Sequence, residues 1–281
     1  MNIDNQQNKY ILQSVENALS IIDLLCEHEE LGVSEIGKFL NVGKSTAFRL
    51  LTTLQSKNYV YKDKNSKYRL SPKFLSIGDI VSDRMEIINK VHPFLVELAD
   101  YSGETCHLGI WYSKTEVTFI DKVAGKNSIR MSSMIGSNKV AHDTSLGKSL
   151  LAFSDEDQIN FYLNNIGFEL NTDKSIKNKE ELRHDLIKIQ LDGYSVDNEE
   201  AEIGLVCFGA PILIRNKAIA AISISGPSSR MNPRKEEFTS MIKNIAETGG
   251  GWEIVGYSSP NQVRRTDRSR PALHRFSMPL D

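Results

Sequence analysis

Cysteine is scarce in this chain of 281 residues: Cys26, Cys106 and Cys207 form an odd, thinly spread set. Such a set excludes a disulfide framework and fits a reducing cytoplasm. None of the three stands in a C-x-x-C, and the adjacent Cys106-His107 are badly spaced for one metal, so no structural metal is expected. Long apolar runs are missing too; nothing approaches the roughly 20 residues that cross a bilayer. The opening MNIDNQQNKY carries one lysine and no apolar segment. The expectation is a cytoplasmic protein that makes no membrane contact. Six histidines are scattered without ligand spacing, and neither H-E-x-x-H nor a Ser/His/Asp arrangement is visible. No cofactor and no catalytic set are therefore expected.

A phosphate-binding loop of the Walker type is also lacking, although its ending occurs twice, at Gly43-Lys44-Ser45 and Gly147-Lys148-Ser149. The loop needs a first glycine five positions before the last one, so that backbone N–H groups wrap the phosphates. Lys38 and His142 stand there instead.

What the sequence does contain is an uneven distribution of charge. Residues 1–37 hold Lys9 against seven acidic side chains, whereas residues 38–73 hold nine basic ones against Asp63 alone. Clustering of this kind marks either a polyanion-binding face or a solvated charged face. The local pattern favours the first. Leu12, Val15, Leu19, Ile22 and Leu25 follow helical spacing. A short helix after Gly32 is expected to bury Val33, Ile36 and Leu40. A tight turn at Asn41–Gly43 then leads to a third helix from Lys44. At about 100° per residue, Ala47, Leu50, Leu51 and Leu54 share one face of that helix. Ser45, Arg49, Thr52 and Ser56 share the other, flanked by Thr46 and Thr53. The stretch from Tyr59 to Leu70 alternates around a polar break and reads as a hairpin with a basic tip. Helix, short helix, turn, helix and basic hairpin make a winged helix-turn-helix over residues 1–71.

On that reading the first GKS meets a DNA phosphate rather than a nucleotide. A helix start offers unpaired N–H groups and the positive end of a dipole, to which Lys44, Ser45 and Thr46 add charge and hydroxyls. Arg49, one turn in, can meet a guanine edge with two hydrogen bonds. Thr52, Thr53, Lys57, Lys62, Lys64 and Lys67 complete the expected contact to double-stranded DNA.

An amphipathic helix is expected over residues 72–90, as a linker and dimer surface or as ordinary core. Beyond it a helix ends at Gly103, and strands are expected near 105–112, 116–124, 128–133, 194–197, 205–214 and 218–225. Helices are placed from Thr144, after a Ser154 cap, over 180–191 and over 233–247. Several links are too short for crossovers, so residues 91–248 read as an α+β domain with a mainly antiparallel sheet. Residues 249–281 break the pattern with five arginines, three prolines and no lysine. Disorder, residues foreign to the domain and a basic tail adding DNA affinity are the readings open there.

The segments SVENALSIIDLL, LGVSEIGKFLNVGKSTAFRLLTTLQSKNYV and YRLSPKFLSIG resemble the DNA-binding domain of the IclR family of bacterial transcription regulators. HDTSLGKSLLA, GYSVDNEEAEIGLVCFGAPI and AAISISGP resemble that family's effector-binding domain, a GAF-like fold. Asn17 and Gly37 stand where the family often has arginine and alanine. The resemblance implies a homodimer or homotetramer on operator DNA, most simply a repressor, whose binding a small organic-acid effector alters. It implies a pocket at Met131, Ser145, Leu146, Asp197, Cys207, Ser223 and Ser225. Ser223 and Ser225, two apart on a strand, face the same way, and with a helix start they form a carboxylate clamp. The second GKS then marks that helix start, with Lys148 expected to face outward. Two alternatives stand beside this reading. One is an orphan regulator whose second domain only oligomerises; the other is an enzyme using Cys207 with His142 as its base.

Overall fold

The computed structural model describes residues 10–250, and the chain divides into two compact units, Met1–Asp83 and Arg84–Asp281. In the first unit, α1 (Gln13–Glu27), α2 (Val33–Phe39) and α3 (Lys44–Ser56) precede an antiparallel hairpin of β1 (Val60–Lys62) and β2 (Tyr68–Leu70). Ile21, Leu25, Ile36, Ala47, Leu51, Val60 and Tyr68 are its core. Asp63 shapes the hairpin turn by accepting from the N–H groups of Asn65 and Lys67. The core uses only the C-terminal half of the α1 stripe. Leu12, Val15 and Leu19, expected on the buried face, are 69%, 52% and 56% exposed. A core this small contacts α1 mainly through α3 and β2, which cannot cover about four turns of helix.

The helix expected over 72–90 is two helices. The first, α4 (Lys73–Arg84), has no buried residue. The second, α5 (Glu86–Ser102), begins after Met85, whose ψ of 88° is not helical, and runs through Pro93 to a left-handed Gly103.

In the second unit, β3 (Thr105–Trp111), β4 (Glu116–Val123), β5 (Asn138–Val140), β6 (Ser195–Asn198), β7 (Leu205–Ile214) and β8 (Lys217–Pro227) form one sheet. Its order is β5-β4-β3-β8-β7-β6, and every pairing is antiparallel. The β7–β8 turn places Arg215 and Asn216 at φ 50° and 63°, the geometry a two-residue hairpin prefers. Between β5 and β6 lie α6 (Ser145–Ala152), α7 (Glu156–Asn165) and α8 (Lys179–Asp192). After β8 come α9 (Ser228–Met231) and α10 (Lys235–Gly250). This is an α+β fold in two units.

Strand alternation divides the sheet into two faces. Cys106, Leu108, Phe208, Ala210, Ile222 and Ile224 point to one side and pack with Leu95, Leu98, Phe238 and Ile242 of α5 and α10. Phe119, Ala221 and Val117 point to the other, against Leu146, Leu150, Tyr162 and Leu186 of α6, α7 and α8.

Two expectations need correction. Residues 128–133 are not a strand, because side chains meet their carbonyls in place of a ladder: Arg230 donates to Ile129 O and Lys122 to Ser133 O. The cap of α7 is Asp155, which accepts from Gln158 N, and not Ser154. The tail expected over 249–281 lies outside the described residues apart from its first two positions, which end α10.

Candidate functional site

The first site is the outer face of α3 with the hairpin. The turn into α3 is tight: a Cβ on Gly37 would lie 3.1 Å from Val42 O. Gly43 caps α3 with no side-chain bond, so the first N–H groups stay open, as at any helix start. Lys44, Ser45, Thr46, Arg49, Thr52 and Thr53 are all exposed there, as are Lys57, Lys62 and Lys64. The hydroxyls of Thr52 and Thr53 donate to Phe48 O and Arg49 O, leaving only their lone pairs for another group. Lys67 departs from expectation. It is half-buried and paired with Glu35, while Arg69 pairs with Glu29 and Glu30. Part of the acidic surplus of residues 1–37 is thus spent on part of the basic surplus that follows. Among the described residues of this unit, the exposed cations outside these pairs include Lys38 on α2, Lys44 and Arg49 on α3, Lys57 just after it, and Lys62 and Lys64 on the hairpin.

The second site is a cavity of about 830 Å³ on the α6 side of the sheet. All seven residues named from the sequence, Met131, Ser145, Leu146, Asp197, Cys207, Ser223 and Ser225, line it. Strand register explains the convergence. Asp197 pairs with Cys207, Cys207 with Ser225, and Ser225 with Thr105, a single polar row across β6, β7, β8 and β3. The next row is Ser195, Gly209, Ser223 and His107. Above these rows sits the start of α6, capped by Thr144, which accepts from Gly147 N. The N–H groups of Ser145 and Leu146 precede the first intrahelical bond.

Glycines allow that approach. A Cβ on Gly209 would lie 2.7 Å from Ser145 O, and one on Gly147 would lie 2.2 Å from Ala141 O. Real side chains do not fit at such distances, so α6 rests on bare backbone.

The acidic group of the cavity is held from one side. Asp197 Oδ1 accepts from Glu200 N at 2.8 Å. Burial, reinforced by the Glu200 charge, pushes the Asp197 carboxyl up to about 6. Cys207 lies against Asp197 and Ser225, and burial drives its thiol well above the ordinary range. His142 does not pair with it. Its Nδ1 meets Tyr162 Oη at 2.7 Å, and burial lowers its pKa to about 4. A thiolate nucleophile with His142 as base is therefore ruled out by geometry and by charge.

Lys148 does not face outward. Every residue of α6 is buried, so its ammonium has no route to solvent. It meets Glu200 at 2.8 Å and Asp185 at 3.0 Å, and it donates to Val196 O. Burial opposes its charge, yet Glu200 and Asp185 outweigh that and keep it protonated. Since Glu200 also presents its N–H to Asp197, the buried cluster fixes the acidic corner of the cavity. Arg130, Lys139, Asn171 and Asp143 also line the cavity and were not foreseen. His107 has no role in the sequence pattern beyond a poorly spaced pairing with Cys106. The alternation of Thr105, His107 and Gly109 on one strand face was the signal for it.

A basic helix-turn-helix with a wing, in one chain with an α+β unit enclosing a polar cavity, defines a transcriptional regulator. The sequence matches the family description "IclR helix-turn-helix domain" over residues 14–64 and "Bacterial transcriptional regulator IclR C-terminal" over residues 80–248. It is 36% identical to the HTH-type transcriptional regulator XynR of Escherichia coli over 79% of this chain and 89% of that one. With the transcriptional repressor IclR of the same organism it shares 30% identity over 84% and 88%. The crystal structure of the Thermotoga maritima IclR superimposes with a TM-score of 0.70 at 32% identity, covering 84% of this chain and 98% of that one. The chain belongs to the IclR family of bacterial transcriptional regulators. That membership places it among regulators and not among enzymes.

Proposed function

We propose that the protein is an operator-binding repressor whose affinity for DNA changes when a small organic acid occupies the cavity. The observation that carries this reading is the floor of the cavity: two serine hydroxyls and Asp197, facing the open N–H groups of α6. Donors at one end and a carboxyl at the other suit a ligand with a carboxylate and a hydroxyl or oxo group. Arg49 reads a base edge, while Lys44, Lys62 and Lys64 meet phosphates. The working form is a homodimer or homotetramer. The exposed Leu12 at the start of α1, Val15 and Leu19 along it, and Leu75, Ile80 and Val81 of α4 support that, since apolar side chains left in water favour association.

The test is calorimetric titration of hydroxy- and oxo-acids into the protein, alone and with operator fragments retrieved from genomic DNA. Linkage requires that an acid which weakens DNA binding be weakened by DNA to the same extent. Acids that bind with equal affinity in both states would remove the regulatory role. Absence of binding by any acid would favour an orphan regulator.

A further inference from the structure

The segment covering the cavity between Ile129 and Gly136 is tied to the sheet through Ser133. Its hydroxyl lies 2.7 Å from His107 Nε2, and its carbonyl accepts from Lys122 Nζ at 2.6 Å. The other ring nitrogen of His107, Nδ1, faces the Ser223 hydroxyl at 3.4 Å. Ser223 is the register partner of His107 across β3 and β8, and both side chains are buried. A single imidazole thus stands between the cover and the floor. Neither serine hydroxyl has another hydrogen bond among the described residues.

We propose that His107 is a positioning residue of the cavity, coupling closure of the 129–136 segment to the direction in which the Ser223 hydroxyl points. A neutral imidazole carries one N–H, so it donates at one nitrogen and accepts at the other. Two arrangements follow. With the proton on Nδ1, the ring donates to Ser223 Oγ and accepts from the Ser133 hydroxyl. Ser223 then has its own O–H free to donate into the cavity. With the proton on Nε2, the ring donates to Ser133, and Ser223 donates to the ring and offers the cavity only lone pairs. The first arrangement suits an anion, the second a hydroxyl or amide donor. A ligand therefore selects the tautomer, and the tautomer sets how Ser133 is held. The ring stays neutral throughout. Burial, with help from the Lys122 charge in the same row, lowers its pKa to about 3; Lys122 is the charged group that faces it.

This inference rests on the cavity being a ligand site, but its test needs no ligand. Amide hydrogen exchange over residues 130–136 is measured in the full chain for wild type, Ser133→Ala, His107→Leu and His107→Gln. Loss of one hydrogen bond should speed exchange in Ser133→Ala and His107→Leu by about fivefold to tenfold. His107→Gln places an amide near the former Nε2 position and should return exchange toward wild type. Exchange in β7 and α10 should not change in Ser133→Ala. Nitrogen-15 spectra of the His107 ring supply the second measurement. Ser133→Ala and Ser223→Ala should each alter both ring nitrogens, because each removes one end of the same chain. Unchanged exchange in Ser133→Ala, or a ring that responds to only one of the two serine variants, would overturn the coupling. Since every measurement is made without ligand, failure to find a binding acid would count against the effector reading and not against this one.

Discussion

At the scale of single residues, the family resemblance named the cavity floor, and period-two alternation supported only its two serines. Ser223 and Ser225 had to share a face, and the order of polar positions on neighbouring strands brought Asp197 and Cys207 to the same row. Lys148 was not legible, because its partners Asp185 and Glu200 lie far along the chain and no local pattern announces them. The cluster is a stability element with a testable cost. Lys148→Met would leave two carboxylates facing each other without a cation. Breaking a buried pair costs about 3–5 kcal/mol, and the lower end applies because Asp185 keeps some solvent access. Denaturant unfolding should show that loss, and adding Glu200→Gln should recover part of it. If the double variant is no more stable than Lys148→Met, the charges are not what holds this corner. Arg49 poses the corresponding question on the DNA side. One bidentate base contact gives about 1–3 kcal/mol of discrimination. Arg49→Ala should therefore weaken operator binding well beyond random DNA, and equal weakening would remove its base-reading role.

Among the elements, helices with strong periodicity and glycine stops were readable from sequence. Both Gly103 and Gly193 end helices in the left-handed conformation. Failures came where tertiary contacts chose among equivalent local options. The stripe of α1 fits helical spacing along its whole length, yet only one end meets a core. Residues 128–133 alternate like a strand, but the edge of the sheet is completed by β5 and the segment covers a cavity instead. The wing is the element whose charge reading the structure changes most. Lys64 sits exposed at its tip, while Lys67 is bound to Glu35. Lys64→Ala should lower the slope of log affinity against log salt by about one unit. Lys67→Ala should change that slope much less, since its charge is already matched. Titrations at four salt concentrations distinguish the two, and equal slopes for both variants would mean that the Glu35 pair opens on DNA.

For the molecule as a whole, the question is whether a ligand in the cavity alters DNA affinity, and the serines give the cleanest handle. Replacing Ser223 and Ser225 together by alanine removes two hydroxyls that would bond an anionic ligand. A loss of about 1–3 kcal/mol in ligand affinity is expected. DNA binding without ligand should stay near wild type, because neither serine lies on α3 or the wing. Protons supply an independent readout. Asp197, already raised to about 6 by burial and the Glu200 charge, would rise further when a carboxylate held by the serines at the other end of the cavity adds negative charge and displaces water. Ligand binding should therefore take up protons above pH 6, and affinity should fall as pH rises from 6 to 8. The sign follows from the bound state holding more protons than the free state in that window. Calorimetry in two buffers of different ionisation enthalpy measures the uptake, and Asp197→Asn should abolish it. Uptake that persists in Asp197→Asn would assign the proton to another group. Release in place of uptake would mean that the bond from the ligand hydroxyl to Asp197, which favours the ionised carboxyl, outweighs the charge of the ligand carboxylate.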